Sequence, residues 1–443
     1  MKIHILACGG AVMHNMAIAL HQLGHTISGS DDEIFEPALS RLKSHGILPE
    51  SFGWHPEKIT KALDFIILGM HAKADNPELE KAKSLGIKVY SFPEYVYEHA
   101  KNKIRVVIAG SHGKTSTTAM IMHVLKTLHK DFDYLVGSQL EGFDTMVKFS
   151  DAPIMVIEGD EYLTSALDRV PKFIKYKPHY TQITGIAWDH INVFPTFENY
   201  VDQFAQYIDT IEKDGELVYF NDDKVLKALC EKAQVKARAY DTPKYENNNG
   251  VVTVLKDRAY PLAVFGEHNL QNMEGASLLC ENINITQTEF YQAMASFTGS
   301  ARRLEKVFEN DHLLIFRDFA HSPSKLKATV EAVRQQYPDS ELMAVFELHT
   351  FSSLSQDFLP HYQDTMELAD KAIVYFNPLV FEHKKMPILT LDQVTKGFHS
   401  DIEAINNTSE LIAKINNFKG NVSGQHRVLL LMSSGNFDNT QLW

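Results

Sequence analysis

The chain has 443 residues, of which 44% are hydrophobic and 22% charged, and its formal net charge is −13. That length exceeds what one hydrophobic core sustains and implies two or three domains, with the composition of a soluble globular protein. The acidic balance argues against nucleic acid or an anionic membrane as partner, so any anionic substrate must be met by a local cluster of cations.

Cys8, Cys230 and Cys280 lie far apart without CxxC or Cys/His spacing. They support neither a zinc site nor a disulfide framework and favour a reducing cytoplasm. Ile5-Leu6-Ala7-Cys8 superficially matches a lipoprotein cleavage site, but the few residues before it leave no room for a charged segment and an apolar one. No run approaches the ~20 apolar residues of a membrane span. The expectation is a cytosolic protein, and nothing in the sequence fixes its oligomeric state.

The first hundred residues alternate strand and helix signals: KIHILA as a strand, CGGAVMHNMAIALHQLG as a glycine turn and helix, HTISGSD as a strand ending in Asp31. EPALSRLKSHG then reads as a helix, DFIILGMH as a strand, NPELEKAKSLG as a helix and KVYSF as a strand. Such alternation implies right-handed βαβ units on a parallel sheet. Gly9 and Gly10 stand where a dinucleotide-type fold places its phosphate turn, but Val12 and His14 break the full G-x-G-x-x-G pattern. The polar segment Glu98–Arg105 marks a domain boundary.

Beyond it, Val106–Thr118 reads VVIAGSHGKTSTT. An apolar strand breaks at Gly110, Gly113-Lys114-Thr115 follows, and a helical segment comes next. In such a turn backbone N–H groups and a helix N-terminus face phosphates, the lysine reaches the outer phosphates, and the hydroxyl holds Mg²⁺. The generic pattern would place a glycine at Ile108; the spacing here is the shorter G-x-x-G-K-T. Glu158-Gly159-Asp160-Glu161 puts carboxylates at the end of the strand IMVIE, where oxygen donors suit Mg²⁺. Asp189-His190 ends TQITGIAW, GELVYFNDD looks like a hairpin, YENNNG reads as a flexible loop, and Gly266-Glu267-His268-Asn269 opens a helix where His268 and Asn269 cap it or contact a base. Arg302-Arg303 is a pair suited to clamping phosphate oxygens. Asp318-Phe319-Ala320-His321-Ser322-Pro323 joins a strand to a helix, with Pro323 in the first turn. Further strand and helix signals run on to RVLLLMSSGNF.

In order and spacing, these motifs resemble the Mur ligase family from KIHILACGG to LLLMSSGNF. The resemblance implies an α/β chain of three domains. Residues 1–103 would be a Rossmann-like UDP-sugar-binding domain, 104–298 a central P-loop ATPase domain with a parallel sheet, and 299–443 a Rossmann-like C-terminal domain. It implies ATP- and Mg²⁺-dependent amide-bond formation on UDP-N-acetylmuramate in peptidoglycan metabolism, through an acyl phosphate. Lys114, Glu158 and His190 would be catalytic, with Thr115, Glu158 and His190 holding metal. Gly110, Ser111, His112, Gly113, Lys114, Thr115, Ser116, His268, Asn269, Arg302, Asp318 and His321 would bind nucleotide.

Two activities compete within the family. One adds L-alanine; the other, a recycling activity, adds the preformed tripeptide L-alanyl-γ-D-glutamyl-meso-diaminopimelate. Glu161-Tyr162, Arg302-Arg303-Leu304-Glu305, Asp318-Phe319-Ala320-His321 and the ending MSSGNFDNTQ all resemble the recycling form, so the tripeptide is the expected amine and L-alanine the alternative. The chain departs from the family at Arg317, where a second Asp is usual, and at Phe346-Glu347-Leu348-His349, where relatives carry Pro and Arg. It also lacks, in residues 191–209, the lysine that several members carbamylate to bridge two Mg²⁺ ions. A folate-polyglutamate-type ligase lacks a counterpart of residues 1–103, and a regulator without activity has no need of Lys114, Glu158 and His190 together.

Overall fold

The computed structural model describes residues 1–248, 250–399, 401–420 and 426–443, and the chain forms two compact units. The first comprises Met1–Ile186, Val201–Asp241 and Gly275–Ala293. Its opening sheet is four parallel strands in the order β2-β1-β3-β4: β1 Lys2–Leu6, β2 Thr26–Ser30, β3 Phe65–Leu68 and β4 Val89–Ser91. Helices α1 Ala11–Gln22, α2 Ala38–Ser44, α3 Pro77–Leu85 and α4 Phe92–Ala100 connect them. Buried Leu6, Ile66 and Leu68 pack there against Leu79 and Ala82 of α3. The Gly9–Gly10 turn leads into α1, and the Gly9 N–H donates to Asp31 Oδ2 at 2.7 Å. A Cβ on Gly9 would stand 3.0 Å from that oxygen, so glycine permits the approach.

The second sheet of this unit has seven strands in the order β11-β10-β9-β5-β8-β6-β7. They are β5 Ile104–Ala109, β6 Asp133–Leu135, β7 Val147–Lys148, β8 Ile154–Glu158, β9 Tyr180–Ile183, β10 Glu216–Phe220 and β11 Lys236–Tyr240, with only β7 antiparallel. Helices α5 Lys114–Thr127, α6 Phe197–Ile208 and α7 Lys224–Cys230 belong to this region of the chain. The sequence GELVYFNDD is therefore a strand between two parallel neighbours and not a hairpin. The reason is Asp223, whose Oδ1 accepts the Val225 and Leu226 N–H groups and starts α7 where a turn would have to reverse the chain.

The second unit comprises Ala187–Tyr200, Thr242–Glu274 and Met294–Trp443. Its first sheet is an antiparallel meander of β12 Tyr245–Asn248, β13 Val251–Leu255 and β14 Ala259–Leu262. YENNNG is thus mainly strand: pairing to β13 orders Tyr245–Asn248, whereas Asn249 lies outside the described residues. Helices α8 Glu267–Glu281 and α9 Gln287–Met294 follow in the chain. The larger sheet has six strands in the order β15-β16-β20-β17-β18-β19, only β15 antiparallel. They are β15 Glu305–Glu309, β16 Leu313–Asp318, β17 Glu341–Glu347, β18 Lys371–Tyr375, β19 Ile402–Ile405 and β20 Arg427–Met432, with α10 Pro323–Gln336 following β16. Val428, Leu430 and Met432 of β20 enter one apolar cluster and Leu429 and Leu431 the other, so both faces are covered and the strand reads as a continuous apolar run.

The polar segment Glu98–Arg105 is divided between the end of α4 and the start of β5. Arg105 is 1% exposed there. Its guanidinium donates to the carbonyls of Ala100 (3.1 Å), Lys101 (3.0 Å) and Lys177 (2.8 Å) and pairs with Glu212 at 2.7 Å. A buried cation so fully hydrogen-bonded leaves orphan acceptors and an unpaired carboxylate when removed. Arg105→Ala is expected to lower unfolding stability by about 3 kcal/mol or more in urea titration; a loss below about 1 kcal/mol would contradict this role.

β5 lies between β9 and β8 and delivers the chain to Gly110, whose φ of +126° is open to glycine alone. A Cβ at Gly110 would collide with Thr184 Oγ1 and stand 2.9 Å from the Thr184 nitrogen. Gly110→Ala is therefore expected to cost about 2 kcal/mol or more of stability, from strain and overlap together, and to distort the turn. Calorimetric unfolding of the variant checks this, and an unchanged melting temperature would refute the packing described.

Candidate active site

The turn after β5 is built by its neighbours. The Thr184 hydroxyl donates to the Ala109 carbonyl at 3.2 Å and also to the His112 carbonyl, while the Ser111 N–H donates to the Gly185 carbonyl at 3.0 Å. Gly113, at φ +74°, is the N-cap of α5, and no side chain caps that helix. The N-terminus of α5 therefore meets the turn without an N-cap side chain, an arrangement suited to phosphate. Thr115 and Ser116 are buried in its first turn.

Lys114 bends back over the turn, its Nζ 2.6 Å from the Gly110 carbonyl and 2.5 Å from Glu161 Oε2. Glu161 is 1% exposed. Burial opposes charge on the ammonium, but the carboxylates of Glu161, Asp160 and Glu158 outweigh it and hold Lys114 above its ordinary value. Asp160 in turn meets Lys172 at 2.5 Å. Beside them the Thr115 hydroxyl donates to Glu158 Oε1 at 2.8 Å, and the other Glu158 oxygen accepts the Gly137 N–H at 2.7 Å. Neighbouring ligands in a Mg²⁺ octahedron of about 2.1 Å radius lie about 3 Å apart, so this hydroxyl–carboxylate pair has the donor atoms and spacing that Mg²⁺ accepts.

In the second unit, Asp189 and His190 lie beyond β9 and not at its end. Gly185, at φ +147°, turns the chain and the Ile186 N–H goes to Asp223 Oδ2 at 2.6 Å, so β9 stops at Ile183. Trp188 packs on Phe358 and His361, with ring centroids 6.1 and 5.9 Å away. Asp189 is buried; its Oδ2 lies 3.4 Å from Lys325 Nζ and 3.6 Å from His321 Nε2. Burial alone would raise this carboxyl, but chiefly the Lys325 ammonium holds it well below the usual carboxylate range. Burial and the Lys325 charge push the His321 imidazole down. With His321 Nδ1 at 2.8 Å from the Phe319 carbonyl, the assigned state is a neutral ring donating from Nδ1 and accepting from Lys325 at Nε2, 3.2 Å away. Lys325 is then the cation that matches Asp189.

Asp318, at the end of β16, accepts the Leu304 N–H (2.7 Å) on one oxygen and the Ala320 N–H (2.7 Å) on the other. Burial raises this carboxyl against the pull of Arg303 and those hydrogen bonds. Arg302 sits at φ +57°, its N–H bonded to Glu305 at 2.9 Å and its carbonyl accepting the Phe319 N–H at 2.8 Å. Asn269 turns its amide to the Phe265 carbonyl, 2.8 Å away, and burial pushes the His268 imidazole down to about 4. Arg317, the departure from the family pattern, pairs with Glu305 at 2.7 Å and lies over the Trp443 ring, 5.1 Å from its centre.

Of the residues expected from sequence, Gly110–Ser116 and Glu158 thus assemble in the first unit, while His190, His268, Asn269, Arg302, Asp318 and His321 belong to the second. Sequence reasoning missed Glu161 as the partner of Lys114, Thr184 as the brace of the turn, and Lys325 beside Asp189. The Glu158–Glu161 run contained the first signal, but a count of carboxylates does not say which one turns inward.

Family models match three consecutive stretches: "Mur ligase family, catalytic domain" over residues 2–104, "Mur ligase middle domain" over 108–280 and "Mur ligase, glutamate ligase domain" over 302–435. A UDP-N-acetylmuramate–L-alanine ligase of Sulfurihydrogenibium sp. is 30% identical over 384 residues, covering 84% of this chain and 82% of that protein. One of Limosilactobacillus reuteri is 30% identical over 379 residues, covering 82% of each. In structure the chain is similar to a murein peptide ligase from Psychrobacter arcticus (TM-score 0.69, 22% identity) and to a UDP-N-acetylmuramate–alanine ligase from Thermotoga maritima (TM-score 0.70, 20% identity). Each of those two matches covers 99% of this chain and 97% of the other. The chain belongs to the Mur ligase family, ATP-dependent ligases that form an amide bond with release of ADP and phosphate.

Proposed function

We propose that this chain activates the carboxylate of UDP-N-acetylmuramate with ATP and joins it to an amine. The observation that carries the reading is the charged, largely enclosed Lys114 at the glycine-started N-terminus of α5, beside the Thr115–Glu158 oxygen pair. A carboxylate does not acylate an amine at neutral pH until one of its oxygens becomes part of a leaving group. Transfer of the ATP γ-phosphoryl group to that oxygen gives an acyl phosphate; the amine then attacks the carbonyl carbon and expels phosphate. Such transfer asks the protein chiefly for positioning and neutralisation of charge. Lys114 supplies a fixed cation at the outer phosphates, and the N–H groups at the start of α5 cradle the inner ones. Thr115 and Glu158 are the residues that would hold Mg²⁺, which when bound neutralises phosphate oxygens, and His190 is the proposed ligand of a second ion. His268, Asn269, Arg302, Asp318 and His321 are proposed to contact the nucleotide, and residues 1–103 to bind the UDP-sugar.

For the amine, the named relatives support L-alanine, and this reading replaces the tripeptide as the favoured one. The tripeptide is the second reading, supported by Glu161-Tyr162, Arg302-Arg303-Leu304-Glu305, Asp318-Phe319-Ala320-His321 and the MSSGNFDNTQ ending. Buried Glu347 accepts from the Ser433 hydroxyl and from the Phe437 N–H at 3.0 Å, so the atypical FELH segment packs directly against the MSSGNF ending.

Lys114→Ala is expected to lower ATP- and amine-dependent phosphate release by about 10²–10³ or more with the fold intact, as loss of a charge-assisted contact to transferring phosphate predicts. Glu158→Ala should raise the Mg²⁺ concentration needed for half-maximal rate. Wild-type phosphate release in the first variant, or a wild-type Mg²⁺ titration in the second, would refute the respective role. Comparing kcat/KM for L-alanine and for the tripeptide at saturating ATP and UDP-N-acetylmuramate decides the amine. L-alanine should be favoured by about tenfold or more, and a preference for the tripeptide would reverse that assignment.

A further inference from the structure

Residues 191–209 offer no lysine near Asp189-His190, yet the structure brings one there from a distant part of the chain. Lys325 lies in the first turn of α10, one helical turn beyond His321. Its ammonium is 3.4 Å from Asp189 Oδ2 and 3.2 Å from His321 Nε2. Asp189 turns its other oxygen, Oδ1, to the His190 backbone N–H at 2.7 Å. That bond holds the peptide plane that leads into His190, whose φ of +56° is a left-handed conformation that a β-carbon disfavours and that persists only where neighbours impose it; the His190 carbonyl is held on its other side by the Val193 and Phe194 N–H groups at 2.8 and 2.9 Å. The contacts therefore run in series from the Lys325 ammonium to the Asp189 carboxylate to the backbone N–H of His190. The same ammonium bonds the nitrogen of His321 that the Phe319 carbonyl leaves free, and so sets the tautomer and plane of that ring. One cation orders both histidine motifs.

We propose that Lys325 is a positioning residue for the ligase reaction, acting through Asp189 to hold His190 in its metal-binding orientation. The proposal rests on the reading of His190 as a metal ligand. Partners that orient a ligand from behind commonly govern metal affinity and activity by 10–100-fold when removed. Lys327, two residues on, serves as the control: its side chain is 54% exposed and lies 3.9 Å from Glu331.

The test is a Mg²⁺ titration of turnover for Lys325→Met, Lys325→Arg, Lys327→Met, His190→Ala and the double variant Lys325→Met/His190→Ala, each with its melting temperature. Lys325→Met should lower kcat about tenfold or more and raise the Mg²⁺ needed for half-maximal rate several-fold. Lys325→Arg should recover most of both, Lys327→Met should behave as wild type, and the double variant should be no worse than His190→Ala. Lys325→Gln, which keeps a hydrogen-bond donor without the charge, replaces Lys325→Met in the comparison if the latter melts early. Wild-type Mg²⁺ dependence in Lys325→Met, failure of Lys325→Arg to recover it, or losses that multiply in the double variant would overturn the proposal while leaving His190 a ligand. A wild-type titration for His190→Ala would overturn the ligand reading itself, and this proposal with it.

Discussion

A lysine must remain charged while buried if it is to meet a phosphate at the bottom of a turn, and burial opposes that charge. In this chain the opposition is overcome by carboxylates: Glu161 at 2.5 Å, with Asp160 and Glu158 behind it, keeps the proton on Lys114. The rest of the turn after β5 is arranged around that pair. Gly110 lets the backbone pass Thr184, Gly113 starts α5 without an N-cap side chain, and Thr115 donates to the first carboxylate of the run, Glu158. A buried ion pair contributes little net stability, since desolvation of both charges offsets their attraction. On the proposed reading its value is that the ammonium is held charged and positioned before an anion arrives, which limits reorganisation during phosphoryl transfer.

The second unit solves the converse problem. Asp189 is a buried carboxylate that needs a cation, and Lys325 and the His321 ring supply its polar surroundings, while Asp318 is satisfied by backbone N–H groups from both flanks. Asp318 stands at the C-terminal end of β16, the region where α/β sheets gather ligand-binding residues. Arg317 shows how a departure from the family pattern is absorbed. On β16 it alternates with Asp318 to the opposite face, where Glu305 and Trp443 receive it, so the charge reversal does not displace the neighbouring acid.

The parallel sheets, the strand–glycine–helix turn and the helix starts were legible because they are local: apolar runs of strand length, glycines at the breaks, and capping residues in place. The errors arose where long-range contacts decide. GELVYFNDD has the composition of a hairpin, but Asp223 starts a helix and strands from either side pair in parallel. YENNNG has the composition of a loop until β13 supplies partners. Glu161 could be listed as an acid but not as the partner of Lys114, 47 residues away, and Lys325 is 136 residues from Asp189. The choice of amine is the finest distinction and lies furthest from any local rule: short motifs point to the tripeptide and the named relatives to L-alanine.

The central claim is that the muramoyl carboxylate is activated by phosphoryl transfer at the Lys114 turn. It is tested most directly by following oxygen. With UDP-N-acetylmuramate carrying ¹⁸O in its carboxylate, attack of that oxygen on the γ-phosphorus and expulsion of phosphate by the amine transfer one labelled oxygen to the inorganic phosphate. Mass spectrometry of the phosphate released during a single round should show one ¹⁸O per molecule formed. Phosphate released without label, alongside amide product, would contradict the acyl-phosphate route and the reading of the site built on it.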